Sequence, residues 1–330
     1  MGAYLISVDN GDDYVPITKI YQTSVVNLIP EYDGNGWENS DITANVKSTA
    51  EPSIIKTVTD FQKKSDNYGT NDTIPFNIVV PITDLYYDKT LEISDTLGEG
   101  LMLGVDSVTV SLVKEEYNAD GEVIGYYDSA ELSGDLYTIT NREELDGLGG
   151  FTLSIRMDNN TLTQMGNMNV DWEEYDALWI RYDAMTNDKF CVKYYESDTL
   201  ESNENTATLT VDNNYRAESK ATVYTYGIDL TKIDANSKEL LSGVEFTLRR
   251  KDGDYESQEL YFKFNEEKGA YYQVQEGVLE DCIITTDDNG SIRIIGLDEG
   301  TYLLQETKAL DGYKRLSNSI EFTIEDGRIL

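Results

Sequence analysis

Short alternating runs dominate this chain. TATLTV (206–211), SIRIIG (291–296) and SIEFTI (319–324) put apolar and polar residues on opposite sides at a period of two, and turn pairs such as Asn289-Gly290, Asp120-Gly121 and Asp326-Gly327 punctuate them. That period fits a half-buried strand and misfits a helix. No window of about 15 residues carries a capped stripe of helical period, and NREELDGL (141–148) reaches at most a short helical turn. The expectation is an all-β chain of tandem sandwiches, about 100–150 residues each.

Two strand-like runs each contain a single lysine among apolar neighbours: Lys56 in EPSIIKTVTD (51–60) and Lys232 in YGIDLTKIDA (226–235). An unpaired charged amine in an apolar core costs several kcal/mol. Such a lysine is either neutral or chemically used, and this is the strongest lead to function.

Composition closes off many alternatives. The net charge of -36 disfavours nucleic acid and anionic membrane surfaces as partners. The absence of histidine excludes Ser-His and Cys-His triads and argues against most zinc sites. Cys191 and Cys282 fall in different expected domains and read as two buried free thiols rather than a disulfide. The acid-rich stretches DNGDD (9–13), NADGE (118–122) and DDNGS (287–291) lack the ligand spacing of a calcium loop and read as hairpin turns. No metal or cofactor is implied, no apolar run approaches the ~20 residues of a membrane span, and Met1-Gly2 reads as the start of a fragment of a longer precursor.

Compositional breaks suggest three units. Residues 1–50 hold strand-like GAYLISV and the Gly/Asn/Asp-rich EYDGNGWENSD (31–41), too short a stretch for a core of its own. Glu51-Pro52 opens a unit that runs to 223, and DNNYRAESKA (212–221) marks the passage to a last unit, 224–330.

In that last unit LTKIDANSKELLSGVEFTLRR (230–250), TTDDNGSIRIIGLDEGTYLLQETKALDGY (285–313) and SIEFTI (319–324) resemble the Cna B-type domain of Gram-positive adhesins and pilins, with Leu310 where that family usually has proline. PSIIKTVTD, DTIPFNIVVPI (72–82), LEISDTLGEG (91–100), WIRYDAM (179–185) and ENTATLTV (204–211) resemble the isopeptide-forming second domain of fimbrial backbone subunits. Residues 1–50 look like the closing strands of a preceding pilin domain. The resemblance implies tandem immunoglobulin-like sandwiches, Cna A-like and then Cna B-like.

It also implies a reaction. In these families a first-strand lysine attacks the side-chain amide of a last-strand asparagine and ammonia leaves, assisted by a carboxylic acid. An apolar pocket favours both the neutral amine and the protonated acid. Carried over, Lys56 is the nucleophile, Asp95 the acid and Asn205 the electrophile, with Asn203 a competitor on the same side of its strand. In the last unit Lys232 and Glu306 match the nucleophile and acid. The electrophile is expected beyond Leu330, because Asn318 precedes the SIEFTI strand, and the two residues are expected to remain as a buried pair. Lys47 stands where the family's sortase-joined lysine falls, without the usual motif around it.

The function implied is that of a structural shaft or stalk subunit of a surface fimbria, joined by sortase to other pilin subunits outside the cell, and no enzyme beyond its own cross-linking. Two alternatives stand beside it. One is an adhesin that binds a host ligand through the aromatic stretch around Trp172, Tyr175 and Trp179. The other is a carboxylate-based glycoside hydrolase, although nothing singles out one pair among 62 acidic residues.

Overall fold

A computed structural model describes the strands of residues 1–50 by their backbone only, and most of residues 52–330 with side chains. Outside the described residues lie 1, 7–18, 22–23, 29–30, 33–36, 39–47, 51, 71, 83–85, 105, 142–148, 188, 191, 194–202, 213–214, 252–257, 275–276 and 326–327, with the side chains of 141 and 193. Lys47, Cys191, the acid-rich 9–13 stretch and most of the NREELDGL segment are therefore not placed.

Two large apolar cores organise the described residues. The first draws on residues from Ile54 to Val223 and lies between two sheets. One sheet runs in the order Val123–Glu131, Thr109–Tyr117, Ala177–Thr186, Thr73–Pro81, Ile55–Val58. The facing sheet runs Tyr137–Asn141, Gly150–Arg156, Thr90–Leu97, Asn203–Val211 and then into the long strand Tyr215–Thr231. The strands bury alternate residues, so Leu91, Ile93, Asp95 and Leu97 point inward while Glu92 is exposed.

The second core, from Tyr226 to Ile324, is also enclosed by two sheets. One continues from Tyr215–Thr231 through Ser291–Leu297, Ala270–Val274 and Tyr261–Asn265. The other runs Gln258–Glu259, Glu245–Arg250, Gly300–Lys308, Ile320–Glu325 and Arg328–Ile329. In residues 1–50, Gly2–Ile6 pairs with Ser24–Leu28, Lys19–Tyr21 with Ser48–Ala50 and Glu31–Tyr32 with Trp37–Glu38.

Two features depart from the sequence reading. The break expected at 212–221 is largely strand, because Tyr215–Thr231 is one 17-residue element that pairs first with Asn203–Val211 and then with Ser291–Leu297. A nine-residue helix, Asn159–Asn167, was not foreseen. Asp158 caps it by accepting the backbone N–H groups of Asn160 and Thr161, and it buries only Thr161 and Met165, too short and polar a segment to show a periodic stripe.

Where the two cores meet, Ser65–Asn67 lies parallel to Thr222–Tyr224, and the turn beyond it reaches the second core. Thr70 donates its backbone N–H to Gly296 O (2.9 Å) and its hydroxyl to Gln273 O (2.7 Å), while Asn67 Oδ1 accepts from Glu299 N (3.2 Å). Gly296 has φ +88°, and a Cβ there would fall 2.4 Å from Thr70 Oγ1, so this close approach requires glycine.

Candidate functional site

The Lys56 strand is short, with Ile54, Lys56 and Val58 turned inward and Ile55 outward. Both backbone polar groups of Lys56 are held on one edge: Lys56 N donates to Ser219 Oγ (2.9 Å), and Lys64 Nζ donates to Lys56 O (2.6 Å). Lys56 pairs with Ile78, and the next strand pairs Phe76 with Tyr182. Lysine and tyrosine thus come from one sheet. Asp95 and Asn205 come from the facing one, on adjacent strands where Asp95 lies opposite Ala207 and Leu97 opposite Asn205.

All four side chains meet between the sheets. Lys56 Nζ donates to both Asp95 oxygens (2.9 and 2.7 Å) and to the Tyr182 hydroxyl (2.7 Å). Asn205 Nδ2 donates to the same hydroxyl (2.5 Å), and Asn205 Oδ1 is buried without a hydrogen-bond partner. The amine stands 5.0 Å from the Phe76 ring centre and 4.9 Å from that of Tyr182. Phe76 stacks on Tyr182 at 5.5 Å and Phe151 meets its edge at 5.2 Å. Behind Asp95 the backbone of Gly150 approaches so closely that a Cβ would sit 2.1 Å from Asp95 O.

Lys56, Asp95 and Asn205 expose 0% of their surface. Burial pulls the Lys56 amine down from 10.5 to about 8; Asp95 opposes this fall and Lys64 adds to it. Burial, reinforced by Asp95, pushes the Tyr182 hydroxyl well above its ordinary value. A poised amine, a carboxyl group and a primary amide in one dry pocket are the components of an amide-exchange reaction.

Asn203 is buried on the same face, but beside Gly100, where an added Cβ would fall 2.4 Å from Asn203 Oδ1. It is Asn205 that meets the Tyr182 hydroxyl. Tyr182 itself was missed by the sequence reading. Its signal was its place in the inward phase of Ala177–Thr186 with Leu178, Ile180 and Ala184, where a tyrosine reads as ordinary core.

The second lysine sits differently from expectation. Lys232 follows the last residue of its strand, and its side chain remains 24% exposed, so it is not fully buried. Its Nζ lies 3.3 Å from Oε2 of buried Glu306, without the alignment of a hydrogen bond. Asn318 is exposed and outside any strand.

Other candidates resolve into structure. Trp172 and Tyr175 pack against the first core, and Trp179 lies on the outer face of its sheet against Phe61 (5.2 Å), donating to Asn77 Oδ1 (3.1 Å). The stretch proposed as a ligand surface is thus half core. NADGE and DDNGS are turns in which Asn118 and Asp287 side chains accept backbone N–H groups. Cys282 is a buried free thiol. Among the described residues no His/Cys/Asp/Glu group is arranged for a metal ion, and no helix is long and apolar enough to cross a membrane.

Residues 227–330 match the SpaA family of prealbumin-like fold domains. The C-terminal sandwich is the part of the chain that this family model matches. It contains both Lys232 and Glu306. The whole chain is similar to the trypsin-resistant surface T6 protein of Streptococcus pyogenes serotype M6, 24% identical over 97% of this chain, and it spans 55% of that protein's length. In fold it is similar to the group B streptococcus pilus 2b backbone protein, with a TM-score of 0.56, 23% identity and coverage of 82% of this chain and 90% of that one. It also resembles a 35 kDa C-terminal fragment of the major pilin GBS80 of Streptococcus agalactiae, with a TM-score of 0.59, 20% identity and coverage of 83% and 91%.

Proposed function

We propose that this chain is a structural shaft subunit of a Gram-positive surface pilus, and that its middle sandwich locks itself with an isopeptide bond between Lys56 and Asn205. The observation that carries the proposal is the meeting of Lys56, Asp95 and Asn205 in a fully buried pocket between the two sheets. Similarity to streptococcal backbone pilins supports the pilus role.

The chemistry follows from the contacts. One amine proton moves along the 2.7 Å contact from Lys56 Nζ to Asp95, leaving a neutral nucleophile beside a carboxylic acid. Nζ adds to Asn205 Cγ while the acid stabilises the charge that grows on Asn205 Oδ1, which has no donor in the resting pocket. The Cγ–Nδ2 bond then breaks and ammonia leaves. The reaction occurs once per molecule and needs no cofactor.

The bond would close a loop of ~150 residues and restrict the unfolded chain by roughly 5 kcal/mol on the chain-entropy argument. Tension entering one end of the sandwich would pass through a covalent link rather than through strands able to unzip. Outside the cell, subunits of this kind would be joined by sortase, with Lys47 the proposed amine. High-resolution intact mass tests the proposal: one ammonia less than the sequence mass is expected, with a fragment joining Lys56 to Asn205. A full unmodified mass would refute it.

A further inference from the structure

Amide exchange includes one step for which the contacts among Lys56, Asp95 and Asn205 show no direct path. The Asn205 nitrogen cannot depart as an amide anion, so it must gain a proton before Cγ–Nδ2 breaks. The pocket is sealed from solvent and the chain has no histidine. In the resting pocket both oxygens of Asp95 accept from Lys56 Nζ, and the proton Asp95 takes up serves Asn205 Oδ1 in the scheme above, while Asn205 Nδ2 is hydrogen-bonded to the Tyr182 hydroxyl.

Resting on the isopeptide reading above, we infer that the Tyr182 hydroxyl is a further catalytic group of this reaction, which relays a proton from Lys56 Nζ to the departing Asn205 nitrogen. It touches both atoms, at 2.7 Å from Nζ and 2.5 Å from Nδ2. Stacking on Phe76 and the edge contact with Phe151 hold the ring in that position. A tyrosine that served only as core filling would not need its hydroxyl at the point where nucleophile and leaving group come closest.

The protons balance. The ammonium of Lys56 first gives one proton to Asp95. After Nζ has added to Cγ, it gives a second to the Tyr182 oxygen as the hydroxyl passes its own proton to Nδ2. Nζ–Cγ has then formed and Cγ–Nδ2 broken, ammonia leaves, the tyrosine hydroxyl is regenerated, and Asp95 retains the first proton. Burial disfavours a free phenolate, so proton uptake and delivery by Tyr182 are concerted.

The test refolds denatured, unlinked chain and follows loss of ammonia by mass against time, with near-UV circular dichroism to report folding. Tyr182→Phe preserves the ring stack and is expected to slow linkage by at least about a hundredfold, the usual worth of a positioned acid–base group. Site-specific 3,5-difluorotyrosine at position 182 keeps ring and hydroxyl but alters acidity, and covers the case of a Phe variant that does not fold. It is expected to change the rate severalfold. A folded Tyr182→Phe that links at the wild-type rate, or an unchanged rate with difluorotyrosine, overturns the relay while leaving the isopeptide reading intact. A wild-type chain that never loses ammonia overturns both.

Discussion

Lys56 Nζ lies 2.9 and 2.7 Å from the two oxygens of Asp95, and neither side chain exposes any surface. A buried ion pair of this kind contributes little net stability against an apolar replacement, yet removing one partner strands the other at a cost of about 3–5 kcal/mol. Retaining both where leucine and methionine would pack is best explained by chemistry.

Substitution of Asp95 is expected to block linkage. Both Asp95→Asn, which keeps the shape, and Asp95→Ala, which also opens a cavity, should give chain of full sequence mass, and each should lose about 3–5 kcal/mol through the stranded amine. Intact mass combined with urea unfolding separates the two effects. An Asp95→Asn chain that still loses ammonia would assign the acid role elsewhere.

The linkage rate should fall as pH rises above about 8. The reactive state holds one proton shared between Lys56 and Asp95, and with the amine lowered to about 8 the pair loses that proton on the alkaline side. Refolding-coupled mass measurements across pH would show this decline; a rise through the same range would mean that only the neutral amine matters. For a chain kept unlinked by Asn205→Ala the stability trend runs the other way. Between about 8 and the ordinary 10.5 the unfolded chain binds the proton that the folded chain has released, so resistance to urea should increase with pH across that window.

Lys232 and Lys56 should differ in reactivity. With 24% of its side chain exposed, Lys232 is expected to be acylated by an amine-specific reagent under native conditions, whereas Lys56, at 0%, should be spared. Peptide mapping after brief labelling checks both. Protection of Lys232 would show that it too is bonded or sealed.

The contact between the two cores depends on Gly296. Gly296→Ala would place a methyl group 2.4 Å from Thr70 Oγ1 at a φ of +88°, with an expected loss of about 1–3 kcal/mol from overpacking. Thr70→Ala, which removes the hydroxyl bonded to Gln273 O, should cost about 1 kcal/mol. Calorimetry should show both variants lowering the transition of the C-terminal sandwich, and small-angle scattering should show greater bending between the sandwiches. Unchanged scattering would mean that the continuous strand Tyr215–Thr231 alone sets the junction.

The alternation of apolar and polar residues was enough to determine an all-β chain, and apolar neighbours alone drew attention to Lys56, whereas Asp95 was named through the family resemblance and lies in the inward phase of its strand with Leu91, Ile93 and Leu97. A period of two states which side of a strand a residue occupies, since successive side chains point to opposite faces. It carries no information about which strand of the opposing sheet lies across the core. Only the tertiary structure decided that Asn205 rather than Asn203 meets the Tyr182 hydroxyl, that Tyr182 joins the site at all, and that Lys232 lies beyond its strand with part of its side chain in solvent. Those outcomes depend on strand register and sheet-on-sheet packing, which are set by the whole core and not by any one segment.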